Sequence, residues 1–149
     1  MLYGVNDWTE LVGYSNSNWA SDRDDRQSTT GYTFILSGGS IVWVAQKQCT
    51  VTLSSTEAEY MALTECLKHA QWTTSLLQQL LFDVELPIDI FCDSTGAQVI
   101  ASNNVYHKRT KHIDIRYHYI REKVADGMIV INEVNSDDNV ADMLTKALS

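Results

Sequence analysis

Three carboxylates, Glu59, Asp93 and Asp142, stand where apolar neighbours would fix the direction of their side chains. Glu59 falls in helical register with Ala62, Leu63, Cys66 and Ala70, so a helix would set it at the end of a buried stripe. Asp93 closes the apolar run Ile88-Asp89-Ile90-Phe91-Cys92, and Asp142 lies in the short closing segment 140–148. A buried carboxylate is costly unless a cation, a donor or a metal pairs with it. Taken singly, each acid is better explained as a cap or a surface group. Taken together, they are hard oxygen ligands drawn from separate elements, the donor set that suits Mg²⁺ or Mn²⁺ better than zinc. Two such ions about 4 Å apart can clamp a phosphodiester, one activating water and one stabilising the leaving oxygen. The four histidines, His69, His107, His112 and His118, show no zinc-ligand spacing, and His69 is expected to be exposed.

The elements that would hold these acids can be read from pattern. Residues 1–8 form a lead-in, and 11–14 a short first strand. The mixed-sign run at 21–28 reads as a solvated turn. Tyr32, Thr33, Phe34 and Ile35 mark a second strand, joined through Ser37-Gly38-Gly39-Ser40 to a returning strand at 41–45. Ser54, with Glu57 three residues later, has capping-box spacing, which makes Glu57 structural and starts a long helix over 55–81. Residues 88–92 form a strand bracketed by helices, hence parallel-paired and central, with Asp93 at its carboxyl end. A helix over 94–101, a loop over 103–110 with a basic cluster running on to His112, a helix over 113–125 ended by Gly127, a strand over 128–134 and a terminal helix over 140–148 complete the chain.

With 149 residues, 44% hydrophobic and 20% charged, the chain is one ordinary domain rather than a disordered tail or a coiled coil. No apolar run is long enough to span a bilayer, and no basic-then-apolar leader opens the sequence, so a cytoplasmic or nuclear setting is expected rather than secretion. Cys49, Cys66 and Cys92 are odd in number and widely spaced, which suggests buried, reduced thiols. A net charge of −8 disfavours generic nucleic-acid binding through a basic face. It weighs less against a metal nuclease, whose acidic site awaits its cations.

Gly13-Tyr14-Ser15 with Trp19-Ala20, Ser28-Thr29-Thr30-Gly31-Tyr32, residues 53–63, Phe91-Cys92-Asp93, residues 109–118 and residues 140–146 recur in one family, in this order. On these stretches the sequence resembles the ribonuclease H domain at the carboxyl end of copia-type LTR retrotransposon Pol polyproteins. The resemblance covers essentially the whole chain. It implies an α/β (α+β) ribonuclease H-like fold, a mixed five-stranded sheet with helices on both faces, as a single domain over 1–149. Residues 1–8 would lead in from a preceding reverse transcriptase segment of the same polyprotein. The implied activity is cleavage of the RNA strand of RNA–DNA hybrids with two Mg²⁺ (or Mn²⁺) ions, in a cytoplasmic virus-like particle or the nucleus. Glu59, Asp93 and Asp142 carry over as catalytic, metal-holding acids. Arg109, Thr110, Lys111 and His112 carry over as a candidate phosphate-contacting stretch, beside the simpler reading of a solvated loop.

One departure stands out. After Gly-Tyr-Ser the family has Asp, any residue, Asp, Trp; this chain has Asn16, Ser17, Asn18, Trp19. The resemblance makes Asn16, ahead of Asn18, the degenerate first-strand position, where an aspartate would touch both metals; both candidates are amides. An amide oxygen can coordinate Mg²⁺ but carries no charge with which to bridge two cations. Strongly reduced hydrolysis is therefore expected. The alternative is an inactive module, a transposon relic that keeps the fold and hybrid affinity or a structural role.

Overall fold

The structure, a computed structural model, describes residues 10–20, 24, 26–93 and 111–146, with the side chains of 111 and 112 excepted. Five strands form one sheet: β1 (Leu11–Asn18), β2 (Thr29–Leu36), β3 (Gly39–Lys47), β4 (Ile88–Cys92) and β5 (Ile129–Glu133). Two helices accompany them, α1 (Ser55–Gln79) and α2 (Lys111–Ala125). The strand order is β3-β2-β1-β4-β5. β1, β2 and β3 pair antiparallel, whereas β4 runs parallel to both β1 and β5. The mixed five-stranded sheet and the central, parallel place of residues 88–92 are as the sequence led us to expect.

From β1 the chain goes outward to β2 and β3 on one side and later returns to β4 and β5 on the other. The carboxyl ends of β1 and β4 therefore meet where the strand order reverses, the position at which open α/β sheets leave a crevice. Continuing the β1–β4 register, in which Tyr14 is level with Phe91, sets Asn16 level with Asp93.

α1 starts as its spacing predicts. The Ser54 hydroxyl accepts the Glu57 N–H at 3.1 Å, and the Glu57 carboxylate accepts the Leu53 N–H at 2.8 Å, one residue before the cap. Ala58, Ala62, Leu63, Cys66, Leu67 and Ala70 are buried, so the stripe in register with Glu59 faces the sheet. Phe34, Ile88, Ile90, Ile120 and Ile129 complete the core, and α2 packs beside α1, with Tyr60 and Tyr117 edge to face at 6.2 Å. Gly13 is needed within this core: a Cβ there would lie 2.6 Å from Ile90 Cδ1 and 2.8 Å from Phe34 Cε1.

Three expectations are corrected. The terminal segment is not a helix over 140–148: its described part, 140–146, forms one 3-10 turn at Asp142–Leu144, preceded by another at Ser136–Asp138. Side chains outcompete helical bonding there, since Asn139 accepts the Ala141 N–H and the Thr145 hydroxyl donates to the Asp142 carbonyl. Both long helices thus share one sheet face, and a 3-10 turn meets the other. His69 is half-buried, because its Nδ1 lies 2.8 Å from the hydroxyl of buried Tyr32. Cys49 is exposed, unlike buried Cys66 and Cys92. The expected lead-in at 1–8, half of the turn at 21–28, the helix over 94–101 and the loop at 103–110 lie outside the described residues.

Candidate functional site

Side chains alternate along a strand, and the end of β1 uses both faces. Ser17 points to the α1 face, where its hydroxyl donates to Glu59 Oε1 at 2.6 Å. Asn16 and Asn18 point to the opposite face. Asn16 Nδ2 donates to Asp142 Oδ1 at 3.0 Å and to Thr145 Oγ1 at 3.1 Å, and Asn18 Nδ2 reaches the Thr145 carbonyl at 3.3 Å. Asn139 adds a fourth tie, donating to the Ser15 carbonyl at 3.0 Å. The turn comes this close because Gly31, the β2 partner of Asn16, has no side chain: a Cβ there would meet Thr145, Leu144 and the Ala141 carbonyl at 2.7–3.0 Å.

Glu59 is 8% exposed, and its carboxyl is pushed up to about 7. Burial is the main cause; the Ser17 hydrogen bond opposes it, and the charge of Asp93 adds to it. The Cys92 thiol, also raised to about 12 chiefly by burial, feels Asp93, Glu59 and Glu133. The two acids at the carboxyl end of β4 and the start of α1 are therefore electrostatic neighbours.

Asp142 sits differently. Its Oδ1 accepts from Asn16, and its Oδ2 lies 2.6 Å from Lys146 Nζ. The orientation of the Asn16 amide is forced. The Thr145 hydroxyl proton is engaged by the Asp142 carbonyl at 3.0 Å, so Thr145 Oγ1 must accept, and only the amide nitrogen can serve both neighbours. As arranged, this end of the site presents one amide proton and an ammonium to Asp142. That donor set fits a hydrogen-bonded turn and does not fit a carboxylate pair bridged by divalent cations. Among the described residues, no three His, Cys, Asp or Glu side chains gather closely enough to hold a metal ion.

Of the residues singled out in the sequence, Asn16 and Asp142 are in direct contact, and Glu59 is coupled to Asp93 through charge. Arg109 and Thr110 lie outside the described residues. Lys111 and His112 open α2, with side chains that are likewise outside them. Sequence reasoning missed Ser17, Asn139, Thr145 and Lys146 as parts of this cluster. Strand alternation could have found Ser17, since it must face away from Asn16.

The chain carries the ribonuclease H fold. It superposes on LC11-RNase H1, isolated from compost, with a TM-score of 0.65 and 18% identity, covering 91% of this chain and 92% of that one. The same enzyme in complex with an RNA/DNA hybrid matches with a TM-score of 0.64 and 16% identity, covering 91% and 93%. In sequence it is 45% identical, over 138 residues, to the retrovirus-related Pol polyprotein from transposon TNT 1-94 of Nicotiana tabacum. That match covers 93% of this chain and 10% of the polyprotein, so the chain spans about a tenth of the length of such relatives. No family model matches the sequence. The chain is a homologue of one segment of transposon-encoded, retrovirus-related Pol polyproteins. No described helix is long and apolar enough to cross a membrane.

Proposed function

We propose that the chain is the ribonuclease H segment of a copia-type retrotransposon Pol polyprotein, directed at the RNA strand of RNA–DNA hybrids, with hydrolysis strongly reduced at Asn16. The observation that carries this reading is the bond from Asn16 to Asp142. It joins the first-strand position to the last of the three acids beside the crevice between β1 and β4. Glu59, Asp93 and Asp142 are the residues that would hold Mg²⁺ or Mn²⁺ in an active relative. Here one Asn16 amide proton and Lys146 already engage the two Asp142 oxygens, which argues against a two-ion centre. The partners this reading implies are an RNA–DNA hybrid, with Arg109, Thr110, Lys111 and His112 near its phosphates, and the reverse transcriptase part of the same polyprotein. The implied setting is a cytoplasmic virus-like particle or the nucleus.

The engaged state of Asp142 also favours a second reading, a module that holds hybrid without turning it over. Labelled hybrid, incubated with wild type and Asn16→Asp in Mg²⁺ and in Mn²⁺, separates the two. The main reading expects Asn16→Asp to cleave at least ~100-fold faster than wild type, as loss of an essential metal ligand is worth no less than loss of its supporting shell. Equal, ordinary rates would sink the impaired-site reading. Binding without cleavage by either protein would favour the module, and absence of binding would remove the hybrid altogether.

A further inference from the structure

We propose that Asn16 and Lys146 together take the place of a divalent cation at Asp142, so that the C-terminal turn is latched onto β1 without metal. The inference stands apart from the proposed activity, since it concerns how a segment is docked and is read by stability rather than by cleavage.

The Asn16 NH₂ group has two protons, and two acceptors lie within reach, Asp142 Oδ1 at 3.0 Å and Thr145 Oγ1 at 3.1 Å. Asn16 is 7% exposed, so water does not supply an alternative. The second Asp142 oxygen is met by Lys146 Nζ at 2.6 Å, across one turn of the same segment. One carboxylate charge is thus balanced by one ammonium and shared with one amide donor. Nothing further is required to hold Asp142 against the strand. Asn18 to the Thr145 carbonyl and Asn139 to the Ser15 carbonyl tie the same turn down on either side.

An aspartate at position 16 would invert this arrangement. Its oxygen would face Asp142 Oδ1 at about hydrogen-bond distance with no proton between them, and the Thr145 hydroxyl could donate to it only by leaving the Asp142 carbonyl. Two carboxylates at that spacing cannot both stay ionised unless a cation lies between them. Without a cation, the turn would dock at neutral pH only at the cost of a proton taken up and shared by the pair, so its docking would be weakened. The amide removes the requirement, and Lys146 supplies the remaining positive charge from within the chain.

Thermal unfolding of the full chain at neutral pH, in EDTA and in millimolar Mn²⁺, tests this. Wild type is expected to unfold at the same temperature in both, within about 1 °C, and Asn16→Asp to fall by about 4 °C in EDTA and recover in Mn²⁺. An equal rise of wild type in Mn²⁺ overturns the proposal, and so does an Asn16→Asp protein as stable as wild type in EDTA. Should Asn16→Asp fail to fold in either condition, the wild-type comparison and Lys146→Gln decide. Lys146→Gln is expected to speed amide exchange in 142–146 roughly twofold to fivefold, the range of a largely exposed ion pair. Unchanged exchange in that variant overturns the proposal as well. Because no hybrid enters these measurements, their failure is distinguishable from failure of the cleavage reading.

Discussion

The end of β1 presents two faces that are built in different ways. On the α1 side, Ser17 and Glu59 rest against the packed core: the helix residues that follow Glu59 in register are fully enclosed, and its carboxyl holds its proton up to about 7. On the other side three asparagines tie a 3-10 turn to the strand through hydrogen bonds, around the small buried side chain of Ala141, and Lys146 pairs with Asp142 within that turn. The first face is fixed by apolar area, which resists local opening. The second is fixed by hydrogen bonds whose net worth is about 1 kcal/mol each. Disturbing the first should therefore unfold the protein, and disturbing the second should release only the turn.

The largest expected effect is on the core side. Gly13→Ala places a methyl 2.6 Å from Ile90 Cδ1 and 2.8 Å from Phe34 Cε1, two side chains with no exposed surface and no room to yield. We expect a loss of about 3 kcal/mol, the upper end for overpacking. For a domain of this size that is a fall of about 10 °C in Tm, with a single cooperative transition. A variant as stable as wild type would show that this face is looser than its packing indicates.

Next comes the acid set in that face. The folded chain keeps the Glu59 proton up to about pH 7, whereas an unfolded chain releases it near 4.5. Between those values the folded state binds more protons, so stability falls as pH rises. The penalty is absent below the lower value and complete above the upper one. With about 1.4 kcal/mol per pKa unit, a loss on the order of 3 kcal/mol is expected across the window. Glu59→Gln keeps an acceptor for Ser17 and removes the charge, so it should flatten this part of the profile in denaturant titrations at several pH values. An unchanged slope would assign the pH dependence to other groups.

These two faces were not equally legible in the sequence. The α1 side could be read because its signals are periodic: Ser54 and Glu57 at capping distance, and Glu59 in register with four apolar residues. The parallel, central place of β4 followed from its helical flanks. The turn side could not be read in this way. Its residues, Asn139, Asp142 and Thr145, favour local side-chain-to-backbone bonds, and the tertiary partners Ser15 and Asn16 lie more than a hundred residues away. A short apolar run with Asp at its start reads as a helix when those partners are unseen. His69 was misjudged for a similar reason, because the hydroxyl that partly buries it comes from Tyr32 on another element. The resemblance marked Asn16 and Asp142 as positions, but not the amide bond between them.

The smallest expected effect tests the turn side directly. Gly31→Ala puts a Cβ 2.7 Å from Thr145 Cγ2, 2.9 Å from Leu144 Cβ and 3.0 Å from the Ala141 carbonyl oxygen. Two of these three atoms belong to backbone or to the root of a side chain, so no rotamer change relieves the contact. The turn as a whole can lift, however, because Ala141 is the one fully buried apolar side chain that holds it down among the described residues. The expected global loss is about 1 kcal/mol or less, the worth of the bonds released, with Tm falling by about 3 °C. Amide exchange in 142–146 should meanwhile rise severalfold, and that of β1 and α1 should stay as in wild type. If exchange instead rises evenly through the sheet, the turn is part of the cooperative core. The two faces of β1 would then differ only in chemistry and not in how they come apart.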